Sequence, residues 1–132
     1  MTAIDTLFAA ARAVQARAHA PYSGFHVGAA VLDEAGAVHA GCNVENAAYP
    51  VGTCAEAGAI AAMVAAGGRR IAAILVLGDG DALVTPCGAC RQRIREFAVP
   101  ETSVHVAGPG GVRRTFTLDE LLPASFGPDN LA

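Results

Sequence analysis

Two cysteine motifs, far apart in the chain, limit its fold more than any other feature. Cys54-Ala55-Glu56 and Pro86-Cys87-Gly88-Ala89-Cys90 together offer three thiolates and one carboxylate. Three thiolates can hold a zinc ion and leave its fourth position to water, whereas a closed structural site takes a fourth protein ligand. The fourth candidate is Glu56, two residues from a cysteine, which suits proton transfer better than packing. A fold that uses this set has to bring both segments to one point.

Both motifs fall at expected helix N-termini, each after a loop. A Cys-x-x-Cys pair in a first helical turn sets both sulfurs on one side, able to grip one ion. The helix dipoles and free backbone N–H groups there favour thiolates. Other uses of these residues stay open at this level. Cys87 and Cys90 also suit a redox pair or half of a structural zinc knot, although neither explains Cys54 and Glu56. Cys42 is either a fourth ligand closing the site or a small strand residue. His19, His26, His39 and His105 have no ligand spacing and read as surface or strand residues.

Ile4, Leu7, Phe8, Ala11 and Val14 recur at helical spacing, and Thr2 with Asp5 resembles a capping box, so a first helix is expected over Ala3 to Ala18. Pro21-Tyr22-Ser23-Gly24 turns the chain. Phe25 to Leu32 and Val38 to Val44 read as strands joined by a turn at Asp33-Glu34-Ala35-Gly36. Helices are expected from Cys54 to Ala66, where Gly67-Gly68 stops the chain, and from Cys87 to Phe97. Ile71 to Leu77 is a continuous apolar strand of the kind buried on both faces. Ser103 to Ala107 and Arg114 to Thr117 complete five strands, and Thr117 with Glu120 caps a short helix through Leu122. This order implies an α/β fold, a three-layer αβα sandwich around a mixed, about five-stranded sheet. No repeat or linker divides the 132 residues, so residues 1–132 are expected to form a single domain.

Hydrophobic residues make up 53% and charged residues only 16% of the chain, which implies apolar surface hidden in subunit contacts, hence a homo-oligomer. The net charge of −3 argues against a nucleic-acid polymer as partner. No apolar run reaches membrane-spanning length, and no basic start precedes an apolar stretch as in a signal peptide. Four cysteines without a secretory signal point to a cytoplasmic location.

Beyond the cysteine motifs, four blocks in order resemble the small homotetrameric cytidine deaminases. They are Pro21 through Ala30, Gly41-Cys42-Asn43-Val44-Glu45-Asn46-Ala47-Ala48-Tyr49-Pro50, Pro86 through Gln92, and Leu121 through Pro128. Cysteine in the first ligand position, with the glutamate two residues on, is a known variant of the zinc-deaminase pattern. The resemblance implies one Zn2+ per chain on Cys54, Cys87 and Cys90, with Glu56 as the catalytic proton carrier. It implies Asn43 and Glu45 on the ribose 3′-hydroxyl, Phe25 against the pyrimidine, and backbone near Ala55 orienting the base. Ala47, Tyr49 and Phe126 would approach the nucleoside from neighbouring subunits of a homotetramer. The implied activity is hydrolysis of a cyclic amidine C–N bond, turning cytidine and 2′-deoxycytidine into their uridine counterparts in pyrimidine salvage.

One position departs from that pattern. Many members carry an arginine directly after the glutamate, hydrogen-bonded to the zinc-bound cysteines, where this chain has Ala57 and then Gly58. Arg91 or the two helix dipoles are the candidate compensations, and small residues at 57 to 59 would let helices approach closely. Two rival readings are a deaminase of a related aminopyrimidine nucleoside such as blasticidin S, and a non-catalytic zinc-stabilised scaffold.

Overall fold

The computed structural model describes residues Met1–Ala132. Its main elements are α1 (Ala3–Gln15), β1 (Gly28–Asp33), β2 (Val38–Cys42), α2 (Ala55–Ala65), β3 (Ile71–Leu77), α3 (Gly88–Phe97), β4 (Ser103–Gly108), β5 (Gly111–Thr117) and α4 (Leu118–Leu121). Short 3-10 turns occupy Tyr49–Val51 and Pro128–Asn130. No helix is long and apolar enough to cross a membrane.

The five strands form one mixed sheet in the order β2-β1-β3-β4-β5. Only β3 and β4 are parallel; the other neighbours are antiparallel. β2 and β3 therefore run the same way with β1 between them. Parallel strands need crossovers, and α2 and α3 supply them. Strand alternation then divides the apolar residues between two cores. Ala29, Val31, Ile74, Val76, Val104 and Val106 face α2 and α3, meeting Ala55, Ala59, Met63 and Ile94. Ala30, Leu75 and Leu77 face the other way, against Leu7 and Ala11 of α1. This is the expected αβα sandwich, with β3 buried on both sides as its unbroken apolar run implied.

Two glycines set the depth at which helices settle on the sheet. A Cβ at Gly28 would lie 2.1 Å from the Ala11 carbonyl oxygen of α1, and one at Gly41 would lie 2.4 Å from the Ala59 nitrogen of α2. Of the small residues at 57 to 59, Gly58 and Ala59 thus admit strand β2.

The threonine caps form as expected. Thr2 and Asp5 make a reciprocal capping box on α1, and Thr117 and Glu120 make one on α4. Four boundaries differ from the sequence reading by two residues or more. α1 ends at Gln15 instead of Ala18, because Arg17 and Ala18 donate to Val14 and Gln15 in tight turns before Pro21. β1 begins at Gly28 instead of Phe25, because side chains satisfy the preceding backbone. The Asn43 Oδ1 accepts from Val27 N at 2.8 Å, its Nδ2 donates to Phe25 O at 2.8 Å, and Asp79 accepts from His26 N at 2.8 Å. β2 ends at Cys42, and Val44 makes isolated bridges to His19 and Thr53 instead. β5 starts earlier than Arg114, at Gly111.

Candidate active site

α2 and α3 follow β2 and β3 after loops, and the starts of both helices meet Asn43, Val44 and Val76 from the C-terminal ends of those strands around one cavity. Their N-cap positions hold Cys54 and Cys87, and neither makes a side-chain capping hydrogen bond. Cys90 follows in the first turn of α3 and is fully buried. The three sulfurs all lie within 4.8 Å of one another, and those of Cys54 and Cys87 are 3.8 Å apart. Sulfurs about 2.3 Å from a tetrahedral zinc sit about 3.8 Å from one another, so the donor set fits that ion with three protein ligands and one open position. Cys42 lies outside the cluster, as do all four histidines. Three of the histidines have other partners: His26 meets Asp79, His39 meets Asp33 and His105 meets Thr115.

Cys90 and Glu56 are buried, Cys54 is half-buried and Cys87 is exposed. Burial pushes the Cys54 and Cys90 thiols up. Burial also opposes the Cys87 thiolate, but hydrogen bonds from the Cys90 backbone and the neighbouring thiols outweigh it and hold its pKa below the ordinary thiol range. Glu56 is only 4% exposed, and that burial raises its carboxyl above the usual range. A cation at the cluster reverses the penalty on the thiolates, which is why metal binding and thiol deprotonation go together.

A cavity of about 400 Å³ opens on the cluster, within the range of small-molecule sites. Phe25, Asn43, Glu45 and Tyr49 share its wall with Cys54, Ala55, Glu56 and Cys87. The structure thus gathers most of the residues singled out in the sequence. Ala47 and Phe126 do not line it. Ala47 is exposed, and Phe126 is 58% exposed with its backbone carbonyl accepting from Gln92 of α3 at 2.8 Å.

Glu45 is held more firmly than a loop carboxylate need be. It accepts from the backbone nitrogens of Tyr22 and Ser23 at 3.0 and 3.1 Å and from the Ser23 hydroxyl. The Ser23 hydroxyl and backbone hydrogen bonds hold its carboxyl below the usual range. Ser23 entered the sequence reading only as part of a turn, and its role as a clamp depends on a partner 22 residues away.

The Arg91 expectation needs correction. Its guanidinium donates to the Pro86 carbonyl at 2.9 Å, the Leu121 carbonyl at 3.1 Å and the Thr85 hydroxyl at 3.3 Å. It ties the α3 entry to α4 rather than to a sulfur. Arg93, which the sequence reading passed over, donates from Nη1 to Cys90 Sγ at 3.3 Å. The signal was present as an i, i+3 spacing from Cys90 on one helix face.

Residues 1–106 match the model of the cytidine and deoxycytidylate deaminase zinc-binding region. The cytidine deaminase of Sporosarcina psychrophila is 39% identical over 129 residues, covering 98% of this chain and 95% of its own. That of Mycobacterium tuberculosis strain H37Rv is 41% identical over 117 residues, covering 88% and 84%. Among solved structures, the cytidine deaminase of Burkholderia pseudomallei superposes with a TM-score of 0.87 at 43% identity, covering 96% of this chain and 100% of that one. The M. tuberculosis structure gives 0.80 at 37% identity, covering 93% and 96%. With a family model spanning most of its length, relatives near 40% identity and a fitting three-thiolate cluster, the chain belongs to the cytidine and deoxycytidylate deaminase zinc-binding family.

Proposed function

We propose that this chain deaminates cytidine and 2′-deoxycytidine hydrolytically, releasing ammonia and leaving uridine or 2′-deoxyuridine. The observation that carries the reading is one cavity lined by two of the clustered cysteines, the buried Glu56, and Phe25, Asn43 and Glu45. Cys54, Cys87 and Cys90 are the zinc ligands in this reading. When bound, zinc acts as a Lewis acid that makes water nucleophilic near neutral pH.

Glu56 takes a proton from the attacking water and delivers one to N3 of the cytosine ring while the water oxygen bonds to C4. Protonation at N3 neutralises charge building on the ring, so attack and proton transfer assist each other. Glu56 then passes a further proton to the amino group, the C4–N bond breaks, and ammonia leaves. A carboxyl whose burial lifts its pKa is suited to holding and returning protons in this way.

Asn43 and Glu45 bind the ribose at its 3′-hydroxyl, with an amide and a carboxylate able to donate to and accept from one hydroxyl. Their firm anchoring by Val27, Phe25, Tyr22 and Ser23 supports this, since a positioned group loses less freedom on binding. Phe25 packs on the pyrimidine, and the backbone at Ala55 orients its edge. Ala47, Tyr49 and Phe126 complete the sites of neighbouring subunits in a homotetramer. Support comes from Phe126, which is 58% exposed and does not line this chain's own cavity. The whole chain acts as one domain, in cytoplasmic pyrimidine salvage.

A substrate panel on the zinc-loaded protein tests the reading. Cytidine and 2′-deoxycytidine should lose their cytosine absorbance, with blasticidin S turned over far more slowly. Preference for blasticidin S would move the chain to the aminopyrimidine-antibiotic reading. Zinc binding with no turnover of any of the three would leave a scaffold.

A further inference from the structure

Three thiolates around a divalent zinc leave one negative charge in excess, at a site where Cys90 is fully buried. Buried charge of this kind calls for donors aimed at it. α2 offers none beyond its backbone, because the residues after Glu56 are Ala57, Gly58 and Ala59. Gly58 and Ala59 lie under Gly41 of β2, where an added Cβ at Gly41 would meet the Gly58 carbonyl carbon at 2.6 Å. That side of the cluster is packed by backbone and small side chains.

α3 supplies the donor instead. Arg93 sits one turn after Cys90, and its Nη1 reaches Cys90 Sγ at 3.3 Å. The other arginine near the cluster, Arg91, has its guanidinium on Pro86, Leu121 and Thr85. Arg95 is turned to Ser125 and Asp129. Arg93 is therefore the one guanidinium hydrogen-bonded to a cluster sulfur.

We infer that Arg93 is a positioning residue of the metal centre, orienting Cys90 Sγ and offsetting the excess ligand charge from α3 in place of a donor after Glu56. The inference rests on the reading of Cys90 as a zinc ligand. A guanidinium hydrogen bond draws electron density from a thiolate, so its loss leaves a more electron-rich sulfur bound to the metal. Outer partners of metal ligands typically change metal affinity by about 10–100-fold when removed.

Cobalt(II) substitution of the full-length protein gives a readout separate from activity. Arg93→Met should shift the thiolate-to-cobalt charge-transfer band to longer wavelength and weaken zinc retention against a chelator by about 10–100-fold. Arg93→Lys, which keeps a charged donor, should recover part of both. Arg93 is an exposed residue, so both variants are expected to fold, and thermal unfolding checks this. An unchanged band and zinc affinity in Arg93→Met would overturn the inference, even if the melting temperature fell. A wild-type protein lacking any thiolate-to-cobalt band would overturn the ligand reading and this inference with it.

Discussion

The four helices of this molecule begin in two different ways. α1 and α4 start with threonine, and each closes a reciprocal capping box, Thr2 with Asp5 and Thr117 with Glu120. α2 and α3 start with Cys54 and Cys87, which make no side-chain cap. An oxygen cap stabilises a helix by about 0.5–2 kcal/mol over a residue that cannot cap. The helices that frame the fold have that stabilisation, and the two that meet at the cavity forgo it. At α3 the Cys90 N–H is left to the Cys87 sulfur and favours its thiolate, whereas at α2 burial raises the Cys54 thiol. The difference separates helix starts that serve the fold from helix starts that serve the site.

The largest effect is expected where a site helix is given an oxygen cap. In Cys54→Ser the serine oxygen can cap α2, so the metal-free variant should be at least as stable as the metal-free wild type. Zinc content, expected at one per chain in the wild type, should fall to a small fraction of that after exposure to a chelator. Metal analysis beside thermal unfolding reads both effects. A variant that kept its zinc would show that Cys54 is not a ligand.

The converse substitutions act on the fold alone. Thr2→Ala and Thr117→Ala should each lose about 0.5–2 kcal/mol of stability in denaturant titrations. Zinc content and turnover per folded molecule should stay at wild-type values. A cap variant that released zinc would mean the two kinds of helix start are coupled.

A smaller effect lies at the β1–β2 turn, away from the cavity. Asp33 accepts from Ala35 N at 2.8 Å and Ala37 N at 2.9 Å and meets His39 Nε2 at 2.8 Å. The His39 hydrogen bond, and then the backbone ones, hold its carboxyl below the usual range. A carboxyl depressed in the folded state adds stability that is present above its unfolded pKa, about 4, and lost as pH falls through its folded value. Unfolding followed from neutral pH into the acid range should show this loss, and Asp33→Asn should flatten that part of the slope. An unchanged slope would mean the turn contributes nothing to acid sensitivity.

Local patterns made much of this molecule legible before its structure. Capping boxes, the apolar run of β3 and the Cys-x-Glu and Cys-x-x-Cys motifs depend on neighbours a few residues apart. Contacts between distant segments were harder to read. Phe25 to Val27 has the apolar alternation of a strand, but Asn43 and Asp79 take its backbone hydrogen bonds from 16 to 53 residues away. Gly58 and Ala59 meet Gly41 in a strand, a contact their own segment does not reveal. Arg91, adjacent to Cys90, drew attention that belonged to Arg93, because helical geometry favours the residue one turn away over the next in sequence.

The central claim is that the cysteine-started helices hold a metal beside a proton carrier, with the two tasks on different residues. Glu56→Gln tests it most directly, with zinc content and loss of cytidine absorbance measured on the same samples. The account predicts one zinc per chain in both proteins and a fall in turnover of about 10²–10⁴-fold in the variant. Wild-type turnover by a zinc-loaded Glu56→Gln protein would contradict it.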